Sequence, residues 1–503
     1  MAPRHDRRRL VVVVVVAVVI AAAAVGIQRL VADDQPSQES SQVDEPTGLP
    51  AESAESTTVP GQTPEATPAG GSGFATPGLL TFRGSPTRSY YGEGPVPQHP
   101  DVLWGYPANG EGMCAESTVG EETRVWCGTG WTGEPAVFER DGRTWVVFGA
   151  YDRNIHFVDY ATGADILPPF PTGDIIKGSV TVDPDGFPLV YSGSRDNKLH
   201  VIAIDGPEPR ELWSLDATAV SPTMWNNDWD GSPLVIDDYL YEGGENSQFH
   251  IVKLNRSYAA DGTVQVAPQL AFNTPGWDDE LLASLDQRPN DVSIENSVAY
   301  HDGVVYFANS GGLVQGWDVS GLPDGVAPTR VFRFWTGDDT DASVVIDDEG
   351  FLYVAVEVDR QSARGAEVGQ LLKLDPRQPD DPIVWSVHDD SGFWATPALH
   401  DDLIIAPADS GTIYGVDRET GETRWTIDLP GPTWQSPVVV DDVWIQGDCD
   451  GILHGYDLAD TTTTPTELWT VELGGCIEST PAVWHGRMFV GTRSGRFLAM
   501  GDA

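Results

Sequence analysis

Residues 225–231 read Trp225-Asn226-Asn227-Asp228-Trp229-Asp230-Gly231, with side-chain oxygens at alternate positions ahead of a glycine. A calcium loop opens in this way, its hard oxygen ligands converging on one cation. The bidentate carboxylate of such a loop would fall at Asp237, which an extended strand carries ~16 Å away at ~3.3 Å per residue. A metal here would have to recruit a neighbouring loop, with Glu245 and Asn246 joining Asn226, Asp228 and Asp230. The competing reading is a turn whose carboxylates cap backbone amides.

Other stretches interleave acids with tryptophan: Trp277-Asp278-Asp279-Glu280, Trp335 before Asp338-Asp339, His388-Asp389-Asp390, Phe393-Trp394, and Trp434. Trp225, Trp229, Trp277, Trp394 and Trp434 are candidate rim residues for a ligand with hydroxyls or cationic groups, or for a protein partner. In the alternative reading the acids solvate loop tips and each tryptophan seals a junction. Asp-Asp doublets are too common in turns to argue for glycosidase chemistry. His156 and His454 stand three residues before a strand-ending Asp, and His200 and His250 stand five before Asp205 and Asn255. Offsets differing by two fall on one strand face, and recurrence in four units indicates packing rather than catalysis. No Ser/His/Asp arrangement or phosphate-binding glycine loop stands out, so no catalytic residue is assigned. The four cysteines, Cys114, Cys127, Cys449 and Cys476, lack metal-binding CxxC spacing.

These residues are positioned by a repeat. Ser232-Pro233-Leu234-Val235, Thr396-Pro397-Ala398-Leu399, Ser436-Pro437-Val438-Val439 and Thr480-Pro481-Ala482-Val483 share one pattern, with weaker copies around Pro135, Val180, Ser297 and Ser343. The eight equivalent positions are 40 to 64 residues apart. Each unit continues with a second apolar run, a Gly/Asp/Ser turn, a third run ending in Asp, and a fourth strand bearing Trp. Four alternating strands between turn signals make one propeller blade, so the chain is expected to be all-β with eight blades. The second-to-third-strand turns and the connectors between blades share one face. Cys449 lies in such a turn and Cys476 in the following connector. Cys114 and Cys127 share the connector before the first blade, so two disulfides are expected in an oxidising compartment. The eighth unit lacks a fourth strand. Val102-Leu103-Trp104-Gly105-Tyr106 can supply it and close the ring.

Gly415-Val416-Asp417-Arg418-Glu419-Thr420-Gly421-Glu422-Thr423-Arg424-Trp425 resembles the tryptophan-docking motif of the pyrroloquinoline-quinone (PQQ)-type repeat family. Asp205 and Trp213 keep the same step, Asp375/Trp385 and Asp457/Trp469 keep it with insertions, and Leu167 replaces the Trp of the first unit. The resemblance covers roughly residues 79–503. It implies that Trp213, Trp385, Trp425 and Trp469 pack between blades. The family includes quinoprotein alcohol dehydrogenases, which carry a disulfide of adjacent cysteines beneath the quinone, and the propeller lipoprotein of the outer-membrane barrel-assembly machinery. This chain has no adjacent cysteine pair, no CxxCH haem motif and no cysteine near the N-terminal apolar run to carry a lipid. Glu295, Asp341 and Glu478 stand just before their first strands and are expected to ring the channel mouth as dispersed acids.

At the N-terminus, Arg4, Arg7, Arg8 and Arg9 precede an uncharged run over residues 10–27. Eighteen helical residues span ~27 Å, close to the thickness of a bilayer core. The arginines ahead of it place the N-terminus in the cytoplasm. A cleaved signal peptide is the rival reading. Residues 32–77, rich in Ser, Thr, Pro and Glu, read as a disordered tether. The 29 Lys+Arg against 76 Asp+Glu, a net charge of −47, exclude nucleic acid and anionic lipid surfaces as partners.

The sequence thus reads as a signal-anchor (1–31), a linker (32–77) and a propeller (78–503), single-pass in the cytoplasmic membrane with the propeller outside. Its expected role is non-catalytic binding of a protein partner or small extracytoplasmic ligand, without a cofactor. The alternatives are a PQQ- and calcium-dependent dehydrogenase and a carbohydrate-binding propeller.

Overall fold

The computed structural model describes residues 72–119, 122–130 and 133–503. The expected signal-anchor and most of the expected linker lie outside the described residues. Among the described residues no helix is long and apolar enough to cross a membrane. Residues 72–115 and 125–503 belong to one compact unit, to which the following description applies.

The repeat grammar folds as its side chains dictate. In the seventh unit, Val438–Val440 and Val443–Gly447 are wholly buried and rich in β-branched residues, which suits strands packed on both faces. Asp441 and Asp442 join them with φ of +50° and +60°, the backbone of a two-residue hairpin turn. Asp237 and Asp238 do the same in the third unit, so Asp237 belongs to a hairpin and not to the loop over 225–231. Ile452–Asp457 and Thr466–Glu472 complete a four-stranded antiparallel sheet. Eight blades follow one another, over residues 136–171, 181–216, 234–275, 299–335, 345–387, 398–428, 438–472 and 482–502, the last with three strands of its own. Insertions fit between strands: a small hairpin of Ser257–Tyr258 and Val264–Gln265 in blade 3, and the helix Ala363–Val368 in blade 5.

Blade 8 is completed from the other end of the chain. Pro100–Tyr106 pairs antiparallel with Arg496–Asp502, placing Val102 opposite Met500 and Trp104 opposite Ala499. Trp104 then reaches blade 1, where its indole N–H donates to the Tyr160 carbonyl at 3.0 Å. Tryptophans of other outer strands make the same cross-blade contact. Trp385 donates to the Arg418 carbonyl at 3.0 Å, and its ring leaves no room for a Cβ at Gly421.

Residues 78–93 bind the inner ends of the blades together. Gly78–Leu79 extends the blade 1 sheet and Gly92–Glu93 pairs parallel with blade 8. Between them the main chain accepts N–H groups from Val182 (2.7 Å), Tyr300 (2.8 Å) and Ile346 (3.0 Å), in blades 2, 4 and 5. Arg83 and Arg88 are fully buried. Arg83 donates to the Pro397 and Pro437 carbonyls of blades 6 and 7, and Arg88 to Ser232 and Val298 of blades 3 and 4. Burial pushes Arg88 down to about 10 and the nearby Glu134 up to about 8. Ordered contact begins before residue 78: the Thr76 N–H donates to the Pro184 carbonyl at 3.0 Å. Cys114–Cys127 and Cys449–Cys476 are both disulfide-bonded, as paired from the blade topology.

Candidate functional site at the channel mouth

Each connector enters its innermost strand through a hydroxyl residue, with a Glu in blade 1, and these residues form a belt around the axis. The Glu134 N–H donates to the Ser179 hydroxyl, Ser232 to Ser297, Ser297 to Ser343 and Ser343 to Thr396, all at 2.9 Å. The Thr396 N–H donates to the Ser436 hydroxyl at 3.1 Å. The belt fixes which residues are equivalent between blades. Two residues before it, on the mouth side, stand Lys177, Asp230, Glu295, Asp341, Trp394, Trp434 and Glu478 of blades 2 to 8. The segment 78–93 lies on the opposite side, bonded to residues three beyond the belt such as Val182, Tyr300 and Ile346.

In blade 3, Asp228, Asp230 and Glu245 bring one oxygen each within 4.8 Å of one another. The Lys177 ammonium from blade 2 fills the centre, ion-paired to Asp230, to Glu245 at 3.1 Å and to Asp228 at 3.3 Å. Arg195 adds a contact of 3.2 Å to Asp228. Burial alone would lower the Lys177 pKa, but the three carboxylates raise it above its ordinary value and keep it charged. The carboxylates proposed from sequence therefore converge, and on an ammonium. The two asparagines serve the loop itself. Asn226 Oδ1 accepts the Asp228 N–H at 2.8 Å, and the fully buried Asn246 donates to the Ala217 carbonyl at 2.7 Å.

Glu295 and Asp341 stand at neighbouring ring positions, in blades 4 and 5, and repel one another. Asp339, Asp341 and Glu357 also bring an oxygen each within 4.8 Å of one another. Burial first, and then mutual repulsion that includes Glu295, raises the Asp341 pKa well above its ordinary value. Ser310 donates to Asp341 at 3.2 Å and Ser293 to Glu295 at 2.8 Å. Glu478 stands apart, 3.6 Å from Arg493.

The tryptophans divide between rim and core. Trp394 and Trp434 occupy neighbouring ring positions and meet edge to face, with centroids 5.7 Å apart. Trp229 is wholly buried beneath the mouth beside His250, a core residue and not a rim contact. Trp225 is half-buried with a φ of +62°, and Trp277 packs against the small cluster around Leu281. Sequence reasoning missed Lys177, Arg195, Glu357 and the two buried arginines. Lys177 could have been found, since it stands two residues before Ser179 in a weak copy of the repeat. Glu357 carried no signal, because the long insertion after it obscures the blade 5 turn.

Residues 367–500 match a family model described as outer membrane protein assembly factor BamB. No curated protein sequence matches the chain. Among solved structures, a europium-containing methanol dehydrogenase aligns at 12% identity with a TM-score of 0.55, covering 84% of this chain and 98% of that one. A quinohemoprotein alcohol dehydrogenase from Comamonas testosteroni aligns at 13% with a TM-score of 0.55, covering 85% and 81%. The computationally designed Ika8 protein aligns at 14% with a TM-score of 0.51, covering 74% and 99%. At these identities the likeness is one of fold.

Proposed function

We propose that this propeller of PQQ-like repeats is a non-catalytic binding scaffold, held outside the cytoplasmic membrane by residues 1–31, whose mouth receives a basic segment of a protein partner. The observation that supports this most is the make-up of the equivalent mouth positions: Glu295, Asp341 and Glu478 are acids, the one lysine, Lys177, is ion-paired to Asp230, and the Trp394–Trp434 pair stands beside them. Carboxylates steer and hold cationic side chains, and tryptophan faces accept them. Residues 78–93 occupy the far side of the axis, which leaves the mouth as the face to present.

The dehydrogenase reading draws on the enzymes that share the fold. The disulfide here, Cys449–Cys476, joins blade 7 to the connector into blade 8 and is not a bond between adjacent cysteines. One titration separates the readings. A fluorescent Lys/Arg-rich peptide should bind the full-length chain, weaken as salt is raised from 0.05 to about 0.5 M, and bind less well to Glu478→Lys. Stoichiometric uptake of PQQ as a bound chromophore, with alcohol-dependent dye reduction and no peptide binding, would replace the scaffold by the dehydrogenase.

A further inference from the structure

Three tyrosines hold one place in three blades, on the side of the ring away from the mouth. Tyr191 stands opposite Thr181, Tyr241 opposite Leu234 and Tyr353 opposite Val345. Each of these partners lies two residues beyond its belt residue, Ser179, Ser232 or Ser343. At two of the three the following blade delivers a guanidinium. The Tyr191 hydroxyl donates to Asp183 at 2.6 Å, and Arg256 of blade 3 pairs with Asp183 at 2.7 Å. The Tyr353 hydroxyl donates to Asp347 at 2.9 Å, and Arg418 of blade 6 pairs with Asp347 at 3.2 Å, its guanidinium 5.7 Å from the centre of the Tyr353 ring.

The junction of blades 3 and 4 keeps the tyrosine and lacks the guanidinium. The third strands of blades 3, 6 and 4 reach one equivalent place at Lys253, Asp417 and Asp318, opposite Tyr239, Leu403 and Val304. Arg256 lies three residues beyond that place and Arg418 one beyond, and in blade 4 those positions are Gly321 and Val319. A cavity of about 290 Å³ opens there, its lining including Tyr241, Tyr300, Asp237, Asp302, Val319 and Leu322. Tyr241 is only 3% exposed, and among the described residues its hydroxyl has no hydrogen-bond partner. Burial first, and then Tyr300 and Asp237, raise its pKa, so the phenol stays protonated. Among the described residues no Lys, Arg or His forms an ion pair with Asp237 or Asp302. The nearby Lys253 ammonium lies 5.7 Å from the Tyr239 ring centre and pairs with neither acid.

We infer that the junction of blades 3 and 4 binds an alkylguanidinium from outside the chain, its head on Asp237, Asp302 and the Tyr241 hydroxyl and its stem along Val319 and Leu322. A guanidinium only donates hydrogen bonds, and two carboxylates with a phenol oxygen are acceptors for it. Tyrosine faces attract the same cation. A sugar would leave the charge of both acids unmatched. The junctions of blades 2 with 3 and of 5 with 6 show what this place holds when the chain supplies the head group itself. The site lies on the opposite face from the mouth and is independent of what the mouth receives.

The test titrates N-butylguanidinium, and the uncharged butylurea of the same shape, into the full-length chain in a calorimeter at about 0.15 M salt. Butylguanidinium should bind saturably at one site per chain, and butylurea at least about tenfold more weakly. Asp237→Asn combined with Asp302→Asn should weaken butylguanidinium by a similar factor. Their φ angles are +50° and +46°, a backbone that asparagine tolerates, so the turns are kept. Tyr241→Phe keeps the ring, removes the hydroxyl and should weaken binding about threefold. Nα-acetylarginine methylamide separates the sources. Affinity equal to that of butylguanidinium assigns the site to an arginine side chain, and much weaker binding assigns it to a free guanidino compound. No saturable binding up to about 10 mM butylguanidinium would overturn the inference. So would equal affinity in the wild type and the double asparagine variant, the mark of general attraction to an acidic surface.

Discussion

Four histidines occupy one strand position in four blades; three of them pair with a carboxylate and the fourth with an amide. His156 lies 3.1 Å from Asp152 and His200 lies 3.2 Å from Asp196, each with a carboxylate four residues earlier. In His454 the carboxylate is Glu467, at 2.9 Å. His250 has Asn246 at the equivalent place, and burial pushes its pKa down to about 3. A histidine with a depressed folded pKa binds fewer protons folded than unfolded between ~3 and ~6.5. Its contribution is present above pH 6.5 and is lost as the pH falls through that window. By pH 5 the loss amounts to about 2 kcal/mol. Denaturant titrations at pH 7 and pH 5 should therefore show a smaller acid-induced loss in His250→Gln than in the wild type, by about that amount. Equal losses would mean that the imidazole is protonated in the folded state. The common packing role was legible in the spacing of the four histidines. The depressed titration of His250 was not, because it depends on burial, here beside Trp229.

Strands and turns were the most legible level, since Ser/Thr-Pro starts, Asp-Asp hairpins and Asp-to-Trp steps each encode one local geometry. Elements without such periodicity escaped notice. The two-residue strand Gly92–Glu93 has no alternation to read, and the belt of hydroxyl-to-amide bonds becomes apparent only once neighbouring blades are in register. Docking of one blade on the next rests on a small set of close approaches. Gly421 has a φ of +76°, and a Cβ there would lie 2.7 Å from the Trp385 ring. Gly142 has a φ of +72° with nothing within 4 Å of such a Cβ. Both Gly→Ala changes carry the left-handed backbone cost of about 1 kcal/mol, and only Gly421→Ala must also displace an indole. Urea midpoints should show Gly421→Ala less stable than Gly142→Ala by a further ~1–3 kcal/mol. Equal midpoints would mean that the tryptophan shifts freely and does not lock the blades.

For the molecule as a whole, closure depends on the chain before residue 107. Pro100–Tyr106 covers the outer edge of Arg496–Asp502, and Arg83 and Arg88 tie blades 3, 4, 6 and 7 across the axis. A chain beginning at residue 107 leaves an open strand edge, a template for pairing between molecules. Light scattering should show it associating under conditions where the full-length chain is monodisperse. A monodisperse truncated protein with an unchanged melting temperature would show that blade 8 is stable without its outer strand.

The pairing of Pro100 with Asp502 also sets an order of events in time. Joining residues about 400 apart costs about 2 kcal/mol more chain entropy than joining residues 40 apart within a blade. During synthesis Pro100–Tyr106 must wait for Arg496–Asp502 before it finds its partner. Blades 2 to 7 are assembled from local hairpins and can form as they emerge, while residues 78–106 remain committed to a ring that does not yet exist. Contacts of such long range fold slowly. The interval between the emergence of Pro100–Tyr106 and that of Arg496–Asp502 is therefore the period in which a strand edge of this propeller stands unpaired.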